Sequence, residues 1–349
     1  MDNQRRKFLA ASAASVVAGG LLAGTARDAL AQAGKAPAQP KPAAAPAGQP
    51  KLEIARSMTL AMLQTPQGLA LGVRTDKGIV NVSAAAEAFK LDAPATTDEV
   101  ISGDYDATAL KTALDKAKAA GGKFLIAEKD ATFAPCVTDP SKILCVGLNY
   151  RAHAAEANEK LPKEPILFNK YNSALNSHRG TIAVSKEPGK NFDYETELVA
   201  VIGKTARNVS EADALAHVFG YCTGQDFSER DQQMRSGQWM LGKTGDGWGP
   251  IGPWLVTSDQ VDPENLNLKT TVNGEQRQSA NTKDMIFSVK QIVSFASRYM
   301  TLQPGDLIFT GTPEGVIIGY PPEKRIWLKA GDKVVSSIDK LGDLEFTLT

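Results

Sequence analysis

The chain has 349 residues, of which 42% are hydrophobic and 22% charged, the composition of a globular protein with one large domain or a main domain and a smaller partner. Lys plus Arg and Asp plus Glu both number 39, so the formal net charge is zero. This excludes a nucleic-acid binder, which needs a basic surplus to offset phosphate charge, and no run of like charges suggests an interaction tail.

Residues 1–31 have the layout of a signal peptide. Arg5 and Arg6 precede an Ala/Gly-rich stretch from Leu9 to Ala26, and Ala29-Leu30-Ala31 before Gln32 offers an A-x-A cleavage point. The paired arginines point to the twin-arginine route, and so to a periplasmic or exported location. The apolar stretch is weak for a bilayer span, which takes about 20 apolar residues, so no stable membrane insertion is expected after cleavage. Residues 32–51 carry Pro37, Pro40, Pro42, Pro46 and Pro50 and read as an extended linker.

Residues 52–134 read as a small α+β domain. Strands are expected over Met58–Leu63, Ala70–Val73 and Ile79–Val82, separated by Gly-containing turns. Helices are expected over Ala84–Leu91 and Ala107–Ala120. Nothing here combines acid, base and nucleophile, so the unit is expected to be structural or oligomer-forming.

Residues 135–349 are rich in short β signals and Gly/Pro turns. Strands are expected over Ile143–Gly147, Glu197–Gly203 and Asp306–Gly311, and helices over Arg151–Lys160, Glu211–Val218 and Thr282–Arg298. No G-x-G-x-x-G follows a strand and no P-loop is present, so a nucleotide-binding reading has no support. Cys136, Cys145 and Cys222 show no zinc-ligand spacing, and three histidines are too few for a histidine-rich metal site.

Glu195-Thr196-Glu197 opens an apolar strand, where positions i and i+2 share a face. Two adjacent carboxylates call for a positive charge between them, and a hard divalent cation prefers oxygen donors. The same spacing also serves a solvated strand edge. Asp226 ends a second β-like segment, Val218–Gly224, and a polar run containing Arg230 and Gln233 follows it. Lys243 stands alone between Gly242 and Thr244, and Gly311-Thr312-Pro313-Glu314-Gly315 is a glycine-framed turn whose N–H groups and hydroxyl suit a carboxylate. His153 and Glu156 are spaced i, i+3 on a helix face, as in an oriented general base or an ordinary surface pair.

In order along the chain, Lys142–Tyr150, His153 and Glu156, Asp193–Leu198, Gly220-Tyr221 to Asp226, Gly242-Lys243, Pro304-Gly305-Asp306 and Gly311–Gly315 resemble the fumarylacetoacetate hydrolase family. The resemblance covers about residues 135–349. It implies an α+β fold, a mixed β-sandwich roll with a small N-terminal α+β domain, and a homodimer. It implies Mg²⁺ or Mn²⁺ held by Glu195, Glu197 and Asp226. By the same implication Lys243 stabilises a developing enolate, Thr312 takes the substrate carboxylate, and Arg230 and Gln233 line the pocket. His153 and Glu156 then lie on a lid that activates water. The activity expected is hydrolysis of a C–C bond in an acylpyruvate-type 2,4-dioxo acid. The alternative is a 2-oxo acid decarboxylase or isomerase on the same site, and less favoured is a non-catalytic exported binder of a small acid. His178 is expected at most at the pocket mouth, and His217 and Cys222 in packing.

Overall fold

The computed structural model describes residues 55–349. The expected signal peptide and linker, residues 1–51, lie outside the described residues.

The fold is α+β, built on an open, mixed ten-stranded sheet. Its strands run in the order Leu125–Ile126, Gly78–Asn81, Gly68–Thr75, Thr59–Thr65, Leu255–Thr257, Val218–Gln225, Thr196–Ile202, Leu307–Phe309, Ile143–Gly147 and Ile166–Lys170. Neighbours are antiparallel except Leu307–Phe309 and Ile143–Gly147, which run parallel. The segment expected as a separate N-terminal unit thus supplies one wing of the sheet, and Thr59–Thr65 joins it to the rest by pairing with Leu255–Thr257.

The central strands carry long apolar runs because both faces of the sheet are covered. Every residue of Thr196–Ile202 and Val218–Gln225 is buried. Side chains alternate between two cores, as a period of two requires. Leu198, Ala200 and Ile202 face one core, which the helix Val289–Tyr299 covers with Val289, Ile292, Val293 and Ala296. Val199 and Val201 face the other, which the helices Val82–Phe89 and Ala107–Ala119 cover farther along the sheet.

A second sheet of five strands, Glu275–Asn281, Asn267–Val272, Lys333–Ile338, Gly342–Leu348 and Gly180–Ile182, lies beside the first. Thr196 links them through a buried hydroxyl network: its Oγ1 donates to Ser336 Oγ (2.8 Å), and Gln225 Nε2 donates to both Thr196 Oγ1 and Ser336 Oγ (3.0 and 2.9 Å).

Several element bounds differ from expectation for local reasons. The helix expected over Arg151–Lys160 spans Arg151–Glu156, and Asn158 soon adopts φ 56°, a left-handed conformation that does not continue a helix. The helix expected over Thr282–Arg298 starts only at Val289, where Ser288 and Gln291 form a reciprocal capping box. Glu211–Ala214 is one turn, and His217 lies in the 3₁₀ turn after it.

His178 does not reach a pocket mouth. It is buried edge-on against Phe133, with ring centroids 5.3 Å apart, and its Nδ1 accepts from the Glu345 amide (3.2 Å). Burial, aided by the Arg179 cation, pushes its pKa down from 6.5 to about 4. Between those values the unfolded chain holds a proton that the folded chain refuses, so this contribution to stability is present above pH 6.5 and is lost as pH falls toward 4. His178→Asn, which keeps an acceptor but does not titrate, should flatten the fall in melting temperature over that window. An unchanged slope would remove His178 as its source.

Candidate active site

The site sits where two strands of the central sheet end together. Thr196–Ile202 and Val218–Gln225 pair with Thr196 opposite Gln225 and Glu197 opposite Gly224. This register brings Glu195, just before one strand, beside Asp226, just after the other, and the Asp226 amide donates to the Glu195 carbonyl (3.0 Å). One oxygen from each of Glu195, Glu197 and Asp226 lies within 4.8 Å of the others, and all three residues are buried. They form an acidic cluster able to chelate a divalent cation.

Fixed cations surround the cluster. Lys243 Nζ bridges Glu195 Oε2 and Asp226 Oδ2 (2.7 and 2.8 Å). Lys170 Nζ donates to Asp226 Oδ1 (2.5 Å) and to the Lys243 carbonyl. Arg230 Nη1 lies 2.7 Å from Glu195 Oε1 and donates to Gln233 Oε1, while its Nε donates to Asp193 Oδ2 (2.8 Å). Among the described residues Glu197 alone of the three forms no ion pair, and its Oε2 accepts from the Gly311 amide (2.7 Å).

The ionisation follows from these partners. Burial drives the Glu195 carboxyl up, but Lys243 and Arg230 outweigh it and hold the group well below the usual carboxylate range. Burial drives the Lys243 ammonium down, yet Asp226 and Glu195 outweigh it and raise its pKa. Glu197 goes the other way: burial first, then the charges of Asp226 and Glu195, push its pKa well above normal.

The helix Arg151–Glu156 brings a histidine and a carboxylate together. His153 Nδ1 lies 2.8 Å from Glu156 Oε1, and Glu156 Oε2 accepts from the Gly315 amide (3.0 Å). Gly319 leaves the room this requires, because a Cβ there would come within 2.4 Å of the Glu156 carboxyl carbon. Gly311, at φ 99°, turns its N–H toward Glu197, and a Cβ there would meet that of Asn149 at 2.7 Å.

These parts share one cavity of about 380 Å³. His153, Glu156, Lys243 and Thr312 line it, as do Arg230 and Gln233, and the carboxylates of Glu195 and Glu197 open into it. Asp226 lies beneath, held by the two lysines. Thr312 Oγ1 donates to the Thr196 carbonyl (3.1 Å) and accepts from Gln278 Nε2 (2.9 Å). His217 and Cys222 do not line the cavity: His217 Nδ1 lies 3.3 Å from the Lys204 carbonyl, and Cys222 is buried in the sheet.

Sequence reasoning missed Lys170, Asp193 and Arg325. Lys170 ends the strand Ile166–Lys170, where a charge normally marks the return to solvent, and only tertiary pairing shows it buried. Asp193 lies in the acidic run, but its carboxylate is saturated by Arg230 and the amides of Tyr194, Ile317 and Ile318. Arg325 also lines the cavity, and no local pattern signals it.

The model of the fumarylacetoacetate (FAA) hydrolase C-terminal family matches residues 142–349. The chain is similar to the oxaloacetate tautomerase FAHD2A, mitochondrial, of Bos taurus: 40% identical over 296 residues, 82% of this chain and 90% of that protein. The Homo sapiens protein of the same name is 38% identical over the same shares. Among solved structures, a fumarylacetoacetate hydrolase from Exiguobacterium antarcticum matches with a TM-score of 0.69 at 30% identity, covering 84% of this chain and 99% of that one. A 2-hydroxyhepta-2,4-diene-1,7-dioate isomerase from Mycobacterium marinum matches with a TM-score of 0.64 at 30% identity, covering 84% and 98%.

These relatives overturn the expected periplasmic location by twin-arginine export, since those that span 82% of the chain are named as mitochondrial. A basic, acid-poor, Ala- and Ser-containing front satisfies the composition of an organelle transit peptide as well as that of an export signal, so the layout alone misled. With a family match over more than half of its length and relatives near 40% identity along most of it, the chain belongs to the fumarylacetoacetate hydrolase family.

Proposed function

We propose that this chain is a divalent-cation-dependent isomerase that interconverts the enol and keto forms of a small 2-oxo acid of the oxaloacetate type. One observation carries the reading: a single cavity joins Glu195, Glu197 and a buried lysine, with Asp226 beside them in the same cluster, to a His–Glu pair able to move one proton. Relatives named tautomerase and isomerase favour this over the expected C–C hydrolysis, which therefore gives way to the isomerase alternative.

The residues fit a hard cation. Glu195, Glu197 and Asp226 offer only oxygen, and Glu197, raised in pKa and touched only by an amide, marks a local deficit of positive charge. When bound, Mg²⁺ or Mn²⁺ supplies Lewis-acid stabilisation for the oxygens of a 2-oxo acid.

The chain's own residues do the rest. Lys243 places a fixed ammonium beside the enolate oxygen that develops when a C3 proton leaves. Arg230, with Gln233, orients the C1 carboxylate, and the Thr312 hydroxyl joins them by turning its hydrogen from the Thr196 carbonyl to the ligand. His153, held by Glu156, takes the proton at C3 and returns it to the C2 oxygen, or the reverse. One C–H bond breaks, one O–H bond forms, and no water enters the balance.

In D₂O with Mg²⁺ or Mn²⁺, the protein should speed loss of the enol absorbance of oxaloacetate and incorporate deuterium at C3. EDTA should abolish both effects. Metal-independent exchange, or net cleavage of an acylpyruvate at a rate exceeding exchange, would sink the reading. His153→Gln should slow exchange roughly 10²- to 10⁴-fold with Mn²⁺ binding retained, whereas Glu197→Gln should weaken Mn²⁺ binding itself. Equal loss of metal in both variants contradicts the division of roles.

We also propose that the protein is a homodimer, supported by exposed Met234 at the cavity and by Leu241 and Ile326 nearby in sequence to other lining residues. Light scattering on the purified protein should give twice the chain mass, and a monomer mass would end this proposal.

A further inference from the structure

We propose that Arg325 is the residue that selects 2-oxo acids bearing a second, distal carboxylate. The inference rests on the site reading above and names the residue that recognises the far end of its substrate. The cavity is lined by three cationic side chains, Lys243, Arg230 and Arg325. Lys243 is engaged by Glu195 and Asp226, and Arg230 by Asp193 and Glu195. Arg325 forms no ion pair among the described residues. Its Nε donates to the Tyr320 carbonyl (2.8 Å), which leaves both Nη groups for a ligand. It is half-buried, so an ion pair made there is less screened than on an open surface.

The position of Arg325 is fixed relative to the metal-ligating carboxylates. The Tyr320 amide donates to the Ile317 carbonyl (3.1 Å), and the Ile317 and Ile318 amides donate to the two oxygens of Asp193 (2.8 and 3.0 Å). Asp193 pairs with Arg230, which touches Glu195. A single run of bonds thus spans from the acidic cluster to the free guanidinium. A ligand anchored at the cluster by its C1 and C2 oxygens extends across the cavity, and a carboxylate at its far end meets a fork of donors shaped for it. An apolar tail would leave that guanidinium unpaired.

The test compares 2-oxoglutarate with 2-oxopentanoate, which have the same chain length and differ in the distal carboxylate. Binding to the full chain is measured by calorimetry in Mg²⁺, so the readout does not depend on turnover. The unmodified protein should prefer 2-oxoglutarate, and Arg325→Gln should cut that preference about 10- to 100-fold, the worth of one charge-assisted pair. Arg325→Lys should retain part of it as a point charge, which also carries the test if the glutamine variant does not fold. Lys324→Gln, at the neighbouring exposed cation, should keep the original preference and so controls for general charge loss. No preference in the unmodified protein, a preference unchanged in the Arg325 variants, or equal weakening of both acids overturns the assignment. Failure of the isomerase reading looks different: both acids bind, and neither exchanges deuterium at C3.

Discussion

Three carboxylates confined within 4.8 Å of one another in a buried place repel strongly, and this fold counters the repulsion with cations it cannot easily move. Lys170 and Lys243 approach Asp226 from two sides, and Arg230 closes on Glu195 while anchored to Asp193. Counting Asp193, four acids face three bases, and the shortfall falls on Glu197. A site one charge short is able to take a further cation, and removing any one of the three bases would deepen the deficit of positive charge. The cluster forms because the two strands ending here are buried along their whole length and keep one register from Thr196 to Val201. A slip of one residue would turn Glu197 into the core.

The same arrangement ties distant segments together. Asp193 accepts from Ile317 and Ile318, Glu156 from Gly315, and Glu197 from Gly311. The loop between Gly311 and Arg325 is therefore fastened at three points by carboxylates that also belong to the cavity or its scaffold. Each of these bonds joins a carboxyl oxygen to a backbone N–H, so none of them consumes a side chain of the loop.

The site was legible in the sequence where local periodicity sets it. Glu195 and Glu197 flank one residue at the start of an apolar strand, and Asp226 follows directly on another, so a period of two and a strand end suffice. His153 and Glu156 were legible because three residues is nearly one helical turn. The fold was legible in the long apolar strands for the same reason. Lys170 was not, because it meets Asp226 across 56 residues of sequence and its burial depends on which strand lies beside it. The late start of the helix at Val289 was written in Ser288 and Gln291, a capping signal weaker to the eye than the hydrophobic run that follows. The front of the chain misled because a basic, acid-poor, Ala-rich leader is a composition shared by different sorting routes. Physical pattern alone does not separate them.

An enolate beside fixed positive charge is common ground for hydrolysis, decarboxylation and tautomerisation, so the electrostatics of the cluster do not by themselves select a reaction. Under the proposed isomerase reading the proton-moving groups do. C–C hydrolysis needs a positioned water, a base to activate it and an acid to protonate the departing carbon. Tautomerisation needs one group that can hold a proton between C3 and the C2 oxygen. Among the residues lining this cavity, His153 is the single histidine, and it is clamped by a carboxylate that is itself fixed to the Gly315 amide. In the proposed isomerase a base so clamped relays one proton over the short path between C3 and the C2 oxygen, which is the smaller demand.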